Sequence, residues 1–433
     1  MLFTDSLGDV NGVSRFIRNM ADQAVAHGRF LDVVSSTNFP VPRPANFFNF
    51  SPVLAAKMPR YENLELVLPP VVKMLRFADE RRPDVIHVST PGTVGLVGLI
   101  AARMLRVPVV GVYHTDFPAY VERLFDDHSL GKAARLAMRL FYGPFRRIFT
   151  RSEDYSQSLA SLGLPEQRLL RLRPGIEPSQ FGREFRDDGL WRELERHDPQ
   201  RLAGLGETGV AVLYVGRVSV EKGLPLLAPV WKRVCAMMAA RPEAPPVRLV
   251  IVGDGPYRAQ MEESLRGLGV YFLGFRYGAE LARIYASSDL FAFPSTTDTL
   301  GQVVMEAQAS GLPVLVTDQG GPREVVDNGR TGLVLSAADT GAWARAITDL
   351  ACDQDCRRRM GAEGVAHMRR FDIAHCFDHF WDVHEEARRE HAARVPLNRC
   401  GVPVRTGEDH DSTDPKTGQW HGASMLGAHE RTA

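Results

Sequence analysis

No stretch of this sequence is apolar for long enough to read as a membrane span. The most apolar window, Gly92 to Val112, is broken by Arg103, Arg106 and Pro108, which makes it a helix followed by a strand. No basic segment followed by an apolar one opens the chain, so no secretory signal is expected and the protein is placed on the cytoplasmic side. Net charge is missing too: 52 Lys and Arg balance 52 Asp and Glu. No global basic field therefore recruits nucleic acid, and any membrane affinity has to come from a local patch. Cysteine is scarce. Cys235, Cys352, Cys356, Cys376 and Cys400 are odd in number and form no CxxC pair, which favours reduced thiols in a cytosolic protein. What is present is an ordinary globular balance, 44% hydrophobic and 24% charged over 433 residues, enough for two domains with separate cores.

The chain is organised around Phe293 to Val326. Apolar Leu290 to Phe293 reaches Pro294 and a polar patch, a helical pattern runs from about Gly301 to Ser310, and Gly311 precedes apolar Pro313 to Val316. This is the strand, loop, helix, strand grammar of a parallel sheet. Asp298 closes the loop and Glu306 sits inside the helix. Between them Thr299, Leu300, Gly301 and Gln302 open the helix, and their free N–H groups form a seat for phosphate or another anion. Two carboxylates beside such a seat suggest a ligand with both hydroxyls and phosphate; a capping Asp298 and a solvated Glu306 are the plainer alternative. Glu306 lies in an almost uncharged run, so it needs a partner.

Earlier in the chain, Leu2 to Thr4 is a stub where a strand ordinarily takes about five residues, so Met1 is expected to be a late start. The loop from Asp5 to Gly12 precedes a helix from about Val13 and offers a second anion or hydroxyl seat, where Gly12 admits a ligand close to the backbone. An ordinary turn is the alternative. Apolar Phe30 to Ser35 is followed by a Pro-, Asn- and Phe-rich loop (Asn38 to Pro59) and by strands at Val85–Val88 and Val109–Tyr113. His114 then stands at a strand's carboxyl end, where open α/β sheets bind ligands, although a lone histidine is as readily structural. Residues 131–151 interleave Lys132, Arg135, Arg139, Arg146, Arg147 and Arg151 with apolar residues. They form either a basic amphipathic surface for anionic lipid or an ordinary helix with solvated arginines. Strands at Ile148–Arg151 and Leu169–Arg173 flank a helix at Ser152–Leu162, and Phe181 to Glu207 reads as linker plus helix.

The second half opens with strand Val210–Val215 and the loop GRVSVEKG, where Arg217 and Lys222 can clamp a diphosphate, Arg through forked donors and Lys as a point charge, with solvated loop cations as the alternative. Two apparent dinucleotide fingerprints fail. GLGETG (204–209) precedes its strand instead of following it, and GDGPYR (253–258) has Arg258 where the third glycine belongs. Gly320-Gly321-Pro322 leads to a helix near Arg323, Gly332–Leu335 is a last strand, and helices are expected at Ala342–Ala351 and Asp355–Arg370. Phe371 to Glu390 is an aromatic amphipathic helix. His375 and His379 share one of its faces near Cys376, but HExxH is absent and aromatic packing explains the stripe, so no metal site is expected. From Ala393 the chain is polar and reads as disordered.

Taken in order, these motifs resemble those of retaining nucleotide-sugar glycosyltransferases with the GT-B fold, especially their family 4, over about residues 1 to 390. Asp298 and Glu306 resemble the family's glutamate, seven residues, glutamate pair with aspartate at the first position. GRxxxxKG matches its diphosphate clamp, His114 its H-T/G motif, and Pro174 to Glu177 its PxGxD junction. SLGDVNGV is similar to its TDxxxPxxNGV-like loop without the proline. The resemblance implies an α/β protein of two Rossmann-like parallel-sheet domains facing across a cleft. Residues 1–178 would hold the acceptor, 179–207 the linker and 208–370 the nucleotide sugar; 371–390 would cross back and 391–433 form a tail.

It further implies a metal-independent, retaining hexosyltransferase without a cofactor, taking a UDP- or GDP-sugar to a lipid or glycan acceptor. Arg217 and Lys222 would stabilise the leaving diphosphate, Glu306 would hold the ribose and Asp298 the sugar hydroxyls. His114 would contact the sugar near its 6-position. Asn11, Gly12, Gly216, Gly253 and Arg276 would border the donor, with Leu300, Gly301, Gln302 and Val303, and Asp5 would face the acceptor. A catalytically silent sugar-nucleotide binder and a pyridoxal-dependent GT-B phosphorylase are the rivals.

Overall fold

The computed structural model describes residues 1–7, 12–41, 45–58, 61–114, 128–172, 175–177 and 179–394. Asn11, Pro174 and the tail from residue 395 lie outside the described residues. His391 to Arg394 belong to the final helix, Ile373–Arg394, and not to the tail expected from residue 391.

Fifteen strands are described in chain order. In the first half they are β1 (Leu2–Phe3), β2 (Val33–Ser35), β3 (Phe47–Asn49), β4 (Leu54–Met58), β5 (Tyr61–Leu68), β6 (Ile86–Val88), β7 (Val109–Tyr113), β8 (Arg147–Thr150) and β9 (Leu169–Arg171). The second half adds β10 (Val210–Val215), β11 (Val247–Val252), β12 (Val270–Gly274), β13 (Leu290–Phe293), β14 (Val314–Thr317) and β15 (Gly332–Leu335). They build a seven-stranded sheet in the order β3-β2-β1-β6-β7-β8-β9 and a six-stranded sheet in the order β12-β11-β10-β13-β14-β15. Every pairing within these two sheets is parallel. Continuous apolar runs such as VAVLYV suit strands covered on both faces, and β7, β10, β13 and β14 are buried throughout. Strand order reverses between β1 and β6 and between β10 and β13, so each sheet has a crevice at the carboxyl ends of those strands.

Two expectations fail locally. The segment read as a loop from Asn38 to Pro59 contains β3 and β4, and β4 pairs antiparallel with β5 in a separate hairpin. The hairpin is missed because Leu54, Leu66 and Leu68 are exposed, so no buried face imposes a legible alternation. The helix expected near Arg323 is a single 3₁₀ turn, Gly321–Val325, because the chain turns at Asp327–Thr331 into β15.

Three apolar clusters form the core. One fills the second half, and the other two cover the two faces of the first sheet. The final helix inserts Ile373, Phe377, Phe380 and Val383 beside Leu2, Val112 and Phe149 of that first sheet, with Phe380 stacked on Phe149 at 5.8 Å. Two connections therefore pass between the halves side by side: Ile176 N–H donates to the Phe371 carbonyl at 2.8 Å, and Ile373 N–H donates to the Ile176 carbonyl at 3.0 Å.

Candidate active site

The carboxyl ends of both sheets open onto a cavity of about 910 Å³. From the first half Gly12, Arg15, Arg18, His114 and Arg151 line it; from the second come Lys222, Asp298, Leu300, Gln302 and Val303. A Cβ on Gly12 would meet no atom within 4 Å, so this helix start leaves open space beside the backbone.

Asp298 follows β13 and faces the loop after β10. Its Oδ2 accepts from Lys222 Nζ at 2.6 Å, and Oδ1 accepts from Gly301 N–H at 3.3 Å. Burial alone would push this carboxyl up; Lys222 and the Gly301 and Leu300 N–H groups outweigh it and hold the group below its usual value. Gly301 itself adopts φ +75°, and a Cβ there would lie 2.9 Å from Pro322 Cα, so glycine is required where the helix Gln302–Ala309 starts.

Glu306 is 1% exposed and finds two partners: Tyr285 donates its hydroxyl at 3.0 Å, and Arg15 from the helix Gly12–Ala26 forms an ion pair from the opposite half. Burial nevertheless pushes the Glu306 carboxyl up, against the pull of both partners. Sequence reasoning anticipates that this acid needs a partner but does not find it. The only local mark on Arg15 is its place in the first turn after Gly12.

His114 is buried. Arginine only donates, so the 3.1 Å contact makes Nδ1 the acceptor from Arg151 Nε, and the neutral ring donates from Nε2 to Ser89 Oγ at 3.0 Å. Burial and the neighbouring Arg151 charge hold the imidazole well below its ordinary pKa. Both ring nitrogens are thus engaged, and the ring as placed has none left for a sugar hydroxyl. The sequence leaves Arg151 on either a lipid-facing basic surface or a solvated helix; the structure has it 6% exposed at the end of β8, facing the cavity. Arg147 also leaves that surface, pairing with Glu390 and Glu386 of the final helix.

Other expected site residues stand apart from the cavity. Arg217 is exposed and does not line it. Gly216 and Gly253 press together, a Cβ on Gly253 falling 2.0 Å from the Gly216 carbonyl oxygen. Arg276 pairs with Glu280 at 3.1 Å. Asp5 caps the helix Thr93–Leu105, accepting from Val94 N–H at 2.8 Å, Gly95 N–H at 3.3 Å and Thr90 Oγ1 at 2.7 Å. That carboxylate is committed inside the first half instead of facing an acceptor. Among the described residues no cluster of three or more His, Cys, Asp or Glu could hold a metal ion.

Residues 10–180 match the family described as Glycosyltransferase Family 4, and residues 209–353 match Glycosyl transferases group 1. A GDP-mannose-dependent alpha-mannosyltransferase of Mycolicibacterium smegmatis is 32% identical over 365 residues, covering 82% of this chain and 88% of the relative. The chain belongs to the family 4 glycosyltransferases. The sulfoquinovosyl transferase SQD2 of Arabidopsis thaliana is 29% identical over 371 residues, 83% of this glycosyltransferase chain and 66% of the plant enzyme's length. The Anabaena protein HepE, solved with UDP and glucose, has a TM-score of 0.66 at 20% identity over 88% of this chain and 98% of its own, which shows the GT-B fold shared by this glycosyltransferase.

Proposed function

We propose that this glycosyltransferase moves a hexose from a nucleoside-diphosphate sugar to a lipid or glycan acceptor with retention of anomeric configuration, protein cations serving where a metal serves elsewhere. The observation that carries this reading is the meeting of Lys222 and Asp298 at 2.6 Å beside the N-terminus of the helix Gln302–Ala309, at the rim of the shared cavity. As the sugar departs, negative charge grows on the diphosphate. An ammonium group and free helix N–H groups stabilise that charge where it develops. Arg217, exposed on the same loop, adds its forked donors when the diphosphate arrives. With Lys222 drawn to phosphate, Asp298 is released to accept from sugar hydroxyls, and Glu306 takes the ribose. Same-face attack, with the departing phosphate accepting the acceptor's proton, retains configuration. His114 acts here by holding Arg151.

The names of relatives point to more than one donor, GDP-mannose for the mycobacterial enzyme and a sulfoquinovosyl group for the plant enzyme, while HepE was solved with UDP. A lipid acceptor is favoured by the helix His128–Tyr142, which exposes Leu136 and Leu140 beside Lys132, Arg135 and Arg139. The test is nucleotide release and product anomer on lipid acceptors with UDP-glucose and GDP-mannose, for wild type, Lys222→Ala and Asp298→Asn. Each substitution is expected to lower turnover by about a hundredfold or more. Turnover equal in all three would sink the assignment. Binding of a donor without any turnover would favour the silent binder.

A further inference from the structure

Among the described residues four cations line the cavity, and two of them form ion pairs, Lys222 with Asp298 and Arg15 with Glu306, while Arg18 and Arg151 feel carboxylates only through space. Arg151 is the buried one of the two. It is 6% exposed, donates through Nε to the neutral His114 ring at 3.1 Å and lies over the Phe16 ring at 4.8 Å. Its Nη2 finds no hydrogen-bond partner among the described residues. Burial lowers its pKa to about 10, against the attraction of Cys376, Asp298 and Tyr155, so the guanidinium stays charged at neutral pH. Among the described residues its only side-chain hydrogen-bond acceptor is the neutral His114 ring; a buried cation held that way is unfavourable, and a fixed guanidinium fork matches an oxyanion. The fork is held still: Phe16 supports its face, while His114, itself fixed by Ser89 at 3.0 Å, sets its rotation.

Resting on the glycosyl-transfer reading, we infer that Arg151 binds an oxyanion carried by a substrate beside Asp298, a carboxylate, sulfonate or phosphate, and so selects an anionic sugar or an anionic acceptor. Arg151 touches that group; His114 and Ser89 are positioning residues.

The experiment uses the full chain, with wild type, Arg151→Gln and Arg151→Lys each checked for folding by circular dichroism. For the sugar, calorimetry compares the free nucleoside diphosphate, its hexose and its hexuronate: UDP, UDP-glucose and UDP-glucuronate, or GDP, GDP-mannose and GDP-mannuronate. For the acceptor, KM is compared for diacylglycerol and phosphatidic acid in vesicles. An anion on the sugar predicts that the hexuronate binds about tenfold or more tighter than the hexose in wild type, a preference lost in Arg151→Gln and partly kept in Arg151→Lys. An anion on the acceptor predicts the same pattern in KM for phosphatidic acid. In either case the free nucleotide binds all three proteins alike. A wild type that prefers neither anionic form overturns the inference without any variant, as does a folded Arg151→Gln that keeps both ratios. Failure of wild type to bind any nucleotide overturns the transfer reading itself, and this inference with it.

Discussion

His87 on β6 and His384 on the final helix meet inside the seam between the first sheet and that helix. His384 Nδ1 lies 2.6 Å from the Phe380 carbonyl and must donate to it, so its Nε2 accepts from His87 Nδ1 at 2.9 Å. His87 Nε2 is then a buried lone pair without a partner among the described residues. Burial, opposed by the Phe380 carbonyl, takes His384 from 6.5 down to about 4. His87 is held well below its ordinary value by burial, by His384 and by His114. A histidine depressed in the folded state leaves the unfolded chain binding more protons below about pH 6.5, so stability falls as pH drops from there towards 4. His384 alone is expected to remove about 2 kcal/mol by pH 5. Melting of wild type and of His87→Gln/His384→Gln between pH 7 and 5 checks this: the double variant should lose less on acidification. Parallel pH curves would refute it.

At the scale of an element, the helix His128–Tyr142 has two unlike sides. Ala134, Met138, Phe141 and Tyr142 are buried against the first sheet, whereas Leu136 and Leu140 are 59% and 69% exposed. The neighbouring stretch Thr93–Leu105 exposes Leu96, Ile100 and Met104, four residues apart on one face of its own helix. Among the described residues no helix is long and apolar enough to cross a membrane. Lys132, Arg135 and Arg139 each add about 1 kcal/mol of attraction near an anionic surface, and the two leucines add apolar insertion. Leu136→Glu/Leu140→Glu is therefore expected to abolish sedimentation with phosphatidylglycerol vesicles while leaving nucleotide binding unchanged. Retained sedimentation would remove this helix as the contact.

Across the whole molecule, the two halves are held face to face by polar contacts at the cleft rim. Arg323 Nη2 reaches both Asp154 oxygens at 3.0 and 3.2 Å, Arg171 pairs with Glu324, and Glu153 N–H donates to Glu324 at 3.0 Å. Arg15 and Glu306 add a more deeply placed pair. Exposed ion pairs contribute about 0–1 kcal/mol each and weaken with salt, so the rim contacts part at modest cost, whereas drawing Arg15 from the buried Glu306 costs more. Arg171→Ala/Arg323→Ala is expected to enlarge the radius of gyration in small-angle scattering without lowering the melting midpoint, and a bound donor to restore it. Identical scattering from wild type and variant, in both low and high salt, would show that these rim pairs do not set the closure.

Much of this was local and so written in the chain. The apolar runs of β7, β10, β13 and β15, the glycine that opens the helix at Gln302, and the acids Asp298 and Glu306 follow from short-range pattern, because backbone sterics and helix-end hydrogen bonding act within a few residues. The edge hairpin was not legible, since its exposed leucines carry no buried face. Neither were the partners of the acids and the fate of Arg151. Arg15 meets Glu306 across 291 residues of sequence and Lys222 meets Asp298 across 76. Arg151 leaves a basic stretch for the cavity because β8 ends directly before it, at the carboxyl edge of the sheet. Residue type and spacing identified the groups able to hold charge. Which charges would form ion pairs, and which one would be buried with no ion pair among the described residues, depended on how two sheets bring their carboxyl ends together.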